Sequence, residues 1–233
     1  MIGDPKSHTL VKSVVLPNGI NLAYREEGKG AETLVFVHGM GSSRKAWDKN
    51  LPELSGGYRC LAIDLPNNGA SEKGAYSFTM EFLSGILLEF IEVMELEDPV
   101  LIGHSLGGQV ILRTLINHPD RFSQAILVAP AGLETFDDKE VAWLRKNYTP
   151  ENMAKLSEEQ IRRNEEVNFY RFPGDAEFMV EDKLALRGQA HFDLYCEMIP
   201  KSVVGMVTDK VNPQLEEIRS RVLVLFGKED ALI

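Results

Sequence analysis

Seven short runs along the chain are dense in aliphatic and β-branched residues: "SVVL", "NLAYRE", "TLVFVHG", "RCLAIDL", "PVLIGHS", "QAILVAP" and "RVLVLFG". Longer amphipathic segments separate them, and that alternation predicts an α/β fold, with a mostly parallel central sheet covered by helices on both faces. The last five runs are too continuously apolar to keep one wet face, so they are expected as central, covered strands. The first two alternate more strictly and flank "LPNGI", where Asn18-Gly19 favours a tight hairpin turn, which predicts an antiparallel N-terminal edge.

Between strands, "FTMEFLSGILLEFIEVMEL" repeats Phe82, Ile86 and Phe90 at helical spacing with Leu83, Leu87 and Met94 beside them. The pattern predicts a sheet-covering helix capped by Ser77 or Thr79. Over residues 134–200 no β-branched run occurs and charge density rises. Pro150 in "TPEN" and Ser157 ahead of Gln160 in "SEEQ" are helix-start signals. The layout expected is one α/β domain in two parts, residues 1–133 and 201–233, interrupted by a helical cap or lid at 134–200.

Composition narrows the function. With 44% apolar and 26% charged residues among 233, the chain is an ordinary globular one. A net charge of −10 with no basic stripe argues against a nucleic-acid partner. The start, "MIGDPKSHTLVKSVV", has no basic region leading into an apolar core, and no later run has the length of a membrane span. A cytoplasmic protein without a membrane partner is expected. Cys60 and Cys196 share no metal-type spacing and are expected as reduced, packed thiols. There is no H-E-x-x-H, EF-hand, P-loop or G-x-G-x-x-G pattern in a strand-to-helix setting, so neither metal nor cofactor is expected.

The chemistry-bearing stretch is "LIGHSLGGQV". A strand at 99–102 and a helix at 109–117 would be linked by Gly103-His104-Ser105-Leu106-Gly107-Gly108, which fits the G-x-S-x-G pattern of a nucleophile elbow. On so sharp a turn, a Cβ at position 103 or 107 would collide with the neighbouring strand or helix. The turn lifts the serine hydroxyl above the sheet while the helix directs free N–H groups at the same spot. Earlier, "VFVHGMGSS" follows another apolar strand. Its His38-Gly39-Met40-Gly41 run can present the Met40 N–H opposite that of Leu106, and two such donors make an oxyanion hole. His38 is expected to order that loop.

The motifs "HGMG", "AIDLPNNGAS", "GHSLGG" and "VLVLFGKEDALI" together resemble the α/β-hydrolase superfamily, in its lidded group of esterases, lipases, C–C bond hydrolases, lactonases and perhydrolases. Asp64, Pro66, Gly69 and Ser71 match the family's Asp-x-Pro-x-x-Gly-x-Ser turn, with Asn67-Asn68 where many relatives have Gly-His. The resemblance implies that Asp230 is the acid of a triad with Ser105 as nucleophile. A serine at the elbow implies acyl chemistry. It also implies a histidine roughly 25 to 35 residues beyond the acid, and this sequence stops at Ile233.

None of the five histidines suits the role of base. His8 is in the N-terminal tail, His104 points away from the hydroxyl in an elbow, His118 suits a helix C-terminus, and His191 lies in the cap. Two explanations stay open, a truncated serine hydrolase and a natural end with a different function. Under either, the chain as written is expected to be a poor hydrolase, with "RVLVLFG" an exposed apolar edge prone to self-association. The cap's aromatic and methionine residues, Trp143 to Met198, suggest an apolar lid and a small to medium neutral ester or acyl substrate. Arg162, Arg163 and Arg187 are expected to be solvated. The rival reading is a hydrolase-like ligand-binding domain without turnover.

Overall fold

A computed structural model of the chain describes residues 10–230. β1 (Lys12–Val15) and β2 (Asn21–Glu27) form the expected antiparallel hairpin, with Val15 opposite Asn21. Gly19 adopts φ 87° in its turn and donates to the Leu16 carbonyl at 2.8 Å. β3 (Thr33–Val37), β4 (Arg59–Ile63), β5 (Val100–His104), β6 (Gln124–Val128) and β7 (Arg221–Leu225) are parallel, and β2 joins them antiparallel to β4. The described strands form one sheet in the order β1-β2-β4-β3-β5-β6-β7.

That order determines where the chemistry sits. From β3 the chain moves outward to β4, then crosses back to place β5 on the other side of β3. The loops leaving β3 and β5 therefore diverge at a switch point and open a crevice at the carboxyl end of the sheet. Those are the loops carrying "HGMG" and "GHSLGG".

The strands alternate in the sense a twice-covered sheet requires. Val35 and Val37 enter the larger core with Leu83, Phe90, Leu101 and Val110. Leu34 and Phe36 enter the smaller one with Trp47, Leu51 and Cys60. Leu51 belongs to the short helix α1 (Leu51–Leu54). α2 (Met80–Val93) starts at Thr79, whose Oγ1 accepts from the Phe82 N–H at 3.1 Å, and buries Leu83, Ile86, Leu87 and Phe90. α3 (Leu106–Asn117) is buried along its length apart from Asn117. Cys60 and Cys196 are free and buried, and burial pushes the Cys60 thiol up to about 11.

Between β6 and β7 run α4 (Asp138–Asn147), α5 (Pro150–Lys155), α6 (Glu158–Glu166), α7 (Glu177–Leu186) and α8 (Phe192–Thr208). The start signals act as local chemistry dictates. Thr149 caps α5, and Ser157 and Gln160 form a reciprocal capping box on α6. α8 runs through residue 200, with buried Pro200 accommodated inside the helix.

β7 is the exposed apolar edge expected for "RVLVLFG" in the chain as written, and not the covered central strand that its apolar run alone suggested. It is the sheet edge, with Leu223, Val224, Leu225 and Phe226 between 40% and 53% exposed. Apolar content tells which surfaces a strand would bury and cannot supply the element that buries them. None of the described helices is long and apolar enough to cross a membrane.

Candidate active site

β5 extends through His104 and α3 begins at Leu106, leaving Ser105 as the single connecting residue. The turn is sharper than the expected strand 99–102 and helix 109–117 allowed. His104 continues the ladder opposite Val128, and Gly107 and Gly108 are already helical. Ser105 adopts φ 52° and ψ −120°, a strained conformation for a residue with a side chain. The surroundings impose it: the Ser105 N–H donates to the Val128 carbonyl at 3.1 Å, and the Ser105 carbonyl accepts from Gly108 at 2.8 Å and Ala131 at 3.1 Å. The side chain makes no capping hydrogen bond.

The glycines serve close approach. A Cβ on Gly103 would lie 2.5 Å from the Gly107 carbonyl oxygen, and one on Gly107 would lie 2.4 Å from the Val37 oxygen and 2.7 Å from the His38 oxygen. The first turn of α3 is thus pressed onto the end of β3. A Cβ on Gly39 would lie 3.3 Å from Ser105 Cβ, so the turn after β3 sits directly beside the serine. The main-chain N–H groups of Met40 and Leu106 form no backbone hydrogen bond with any described residue.

His38 orders that turn. Its Nε2 accepts from the Leu65 N–H at 3.0 Å, which puts the ring proton on Nδ1, and Nδ1 donates to the Gly39 carbonyl at 2.7 Å. Burial holds its pKa below the ordinary 6.5, against the opposing pull of Asp64. Asp64 is itself fully buried and accepts from the main-chain N–H groups of Arg44 at 2.7 Å and Ala70 at 2.8 Å, and from the Arg44 guanidinium. Gly69 passes so close, at φ 47°, that a Cβ there would strike Asp64 Oδ2. The aspartate turn therefore braces the segment that follows Met40. An Asp64→Asn substitution, which leaves Arg44 without its counter-charge, is expected to cost about 2 kcal/mol in urea unfolding.

Burial also lowers the pKa of His104, with His38 adding to the effect and Asp230 opposing it. Asp230 thus lies within electrostatic reach of the residue preceding Ser105. Of the other histidines, His118 is the C-cap of α3 and His191 is exposed ahead of α8, while His8 lies outside the described residues. No described histidine hydrogen-bonds to Ser105. The described residues contain no cluster of His, Cys, Asp and Glu able to hold a metal ion.

His38 and His104 give a testable acid response. Their folded-state pKa values are depressed, so the unfolded chain takes up protons first as pH falls. Their contribution to stability is whole above pH 6.5 and is lost below it. Each histidine can add a slope of at most about 1.4 kcal/mol per pH unit. Urea midpoints measured on either side of pH 6.5 are expected to fall on the acid side, and less steeply in His38→Gln.

A cavity of about 270 Å³ opens beside Gly41, between residues 41–45 and 67–70 and the cap. Phe178, Met179 and Leu186 line the cavity, but so do Glu165, Asp182 and Lys183. Lys183 is ion-paired with Glu165, and Lys45 reaches across from the core to Asp182 at 2.7 Å. Of the aromatic residues expected to pack the cap, Trp143 and Tyr170 are exposed. Arg162 and Arg163 reach solvent as expected, and there they pair with Glu177 and Glu159. Sequence reasoning passed over Glu165 and Lys183 because residues 18 apart on separate helices leave no local pattern.

Residues 32–232 match the family model described as the alpha/beta hydrolase fold. The chain is 26% identical, over 93% of its length and 80% of the other's, to the uncharacterized hydrolase YugF of Bacillus subtilis. It is 27% identical over 93% of its length to the dihydrolipoyllysine-residue acetyltransferase component of the acetoin cleaving system of Cupriavidus necator, and spans only 56% of that protein. Among solved structures, a probable hydrolytic enzyme from Pseudomonas aeruginosa PAO1 has the same fold, with TM-score 0.87 and 21% identity over 97% of this chain and 76% of its own. The strand-serine-helix turn, the braced turn beside it and the match across the sheet and cap place this chain in the alpha/beta hydrolase family.

Proposed function

We propose that the chain is a serine hydrolase acting on carboxylic esters. One observation carries the reading: Ser105 is held at φ 52° with no side-chain cap hydrogen bond, beside a turn whose Met40 N–H, like that of Leu106, makes no backbone hydrogen bond with a described residue. In this reaction the Ser105 Oγ forms a bond to the ester carbonyl carbon as its proton passes to a general base. The carbonyl oxygen gains the negative charge, and the N–H groups of Met40 and Leu106 stabilise it. The ester C–O bond then breaks, the base returns the proton to the departing alkoxide, and water releases the acyl group by the same steps. Asp230 is the acid assigned to orient the base. The same scaffold suits lactone, perhydrolase or C–C bond chemistry, which share the serine and the oxyanion site.

A non-catalytic ligand-binding domain is the second reading, favoured by the lack of a described histidine bonded to Ser105. A fluorophosphonate probe separates the two. Labelling of the full gene product at Ser105, lost in Ser105→Ala, supports the hydrolase. A folded protein that resists the probe supports the binder.

Self-association is proposed on separate grounds, the exposed apolar edge of β7. Val224→Lys is expected to shift this chain toward monomer in sedimentation velocity, and an unchanged size distribution would count against the edge as the contact.

A further inference from the structure

The cavity beside Gly41 holds polar groups that the proposed acyl chemistry does not use. Glu165 on α6 and Lys183 on α7 form an ion pair there, with the glutamate side chain 4% exposed and the lysine 19%. The Tyr195 hydroxyl on α8 lines the same space, in reach of the Glu165 charge and without a hydrogen-bond partner among the described residues. A Cβ on Gly41 would lie 3.2 Å from that hydroxyl and 3.7 Å from Lys183 Cε, so the tyrosine and the lysine stand against the turn, with Glu165 joined to them through its ion pair with Lys183. Sheltered polar groups of this kind gain stability when something hydrogen-bonds to them.

The signs of the groups select the ligand. A carboxylate or phosphate only accepts hydrogen bonds, and here it would face Glu165 and Asp182. An ammonium only donates, and it would face Lys183 and Lys45. A hydroxyl does both, accepting from Lys183 Nζ while donating to Glu165, and a second hydroxyl on the next carbon can pair with Tyr195. Phe178 supplies an apolar wall for the carbon face of such a group.

Gly39 abuts Ser105 and Gly41 abuts the cavity. Two Cα–Cα steps separate them, at most about 8 Å. That separation is within the length of a small ester.

We propose that this cavity is a subsite for a neutral, polyhydroxylated alcohol portion of the substrate, of the glycerol or sugar type, held by Lys183, Glu165 and Tyr195. The proposal rests on Ser105 being the nucleophile. It is tested by binding, so that turnover is not needed. The full gene product carrying Ser105→Ala is titrated calorimetrically with glyceryl monobutyrate, ethyl butyrate, butyrylcholine and butyryloxyacetate, which share one acyl group.

The glyceryl ester is expected to bind about tenfold more tightly than the ethyl ester, the gain of one hydrogen bond to a charged group, and more tightly than either charged ester. Tyr195→Phe, which removes only the hydroxyl, is expected to reduce that preference. Lys183→Met combined with Glu165→Gln, which leaves neither charge alone, is expected to abolish it, with thermal unfolding confirming that both proteins fold. Equal affinity for all four esters, tightest binding of a charged ester, or a preference unchanged in both variants would overturn the subsite. A polyol preference that persists while fluorophosphonate fails to label the unmutated serine shows that the cavity binds polyols, and removes the hydrolase reading together with the cavity's role as a substrate subsite.

Discussion

Replacing Ser105 with glycine is expected to raise folding stability by about 1 kcal/mol while eliminating fluorophosphonate labelling altogether. The two effects have one cause. At φ 52° and ψ −120° a side chain is strained, and glycine occupies such a conformation without that cost. The strain persists in the native chain because the Val128 carbonyl, Gly108 N–H and Ala131 N–H all bond to the Ser105 backbone in this geometry. Ser105→Ala keeps a Cβ, so it is expected to lose labelling without the gain in stability. Urea unfolding of the three proteins in parallel separates strain from chemistry. If glycine and alanine leave stability equal, the backbone at this position is not strained.

Gly107→Ala is expected to destabilise the fold by about 4 kcal/mol, in the range reached only by damage to the core. The added methyl would meet the Val37 and His38 carbonyl oxygens, which are main-chain atoms of the central strand and the turn after it. Flexible side chains give way cheaply, whereas here α3 must lift off β3. That movement would part Leu106 from Met40, so labelling of Ser105 should fall along with the urea midpoint. An alanine variant with wild-type stability would show that the close packing of α3 on β3 is dispensable. Gly85, whose Cβ would meet nothing within 4 Å, is the control and is expected to tolerate alanine.

Much of the fold was legible because its signals are local. Periodicity of two in Leu34 to Val37 and helical spacing in Phe82 to Phe90 follow from backbone geometry alone. The caps at Thr79, Thr149 and Ser157 follow from hydroxyls accepting bonds from N–H groups within the next turn. The candidate site was legible to the same extent. Gly103, Ser105 and Gly107 are contiguous, and so are His38, Gly39 and Met40, so each half of the site is spelled out in a few letters. The apolar run of β7 taken alone suggested a covered strand, and the exposed edge was expected only through the family resemblance, because strand composition cannot say which element packs on it. Which of the cap's hydrophobic residues turn inward was not legible: Trp143 and Tyr170 are exposed, while Phe178 and Met179 line the cavity.

The sequence by itself determined the α/β layout, the strand-to-helix glycines around Ser105 and the turn carrying Met40, since each depends on neighbours within one or two turns of chain. Only the tertiary structure decided that β3 and β5 lie side by side, that Asp64 holds Arg44 beneath the turn, and that Glu165, Lys183 and Tyr195 face one cavity. Those contacts join residues distant along the chain. They exist because the crossover between β4 and β5 and the packing of α6, α7 and α8 bring their carriers together, and no local pattern encodes a meeting of that kind.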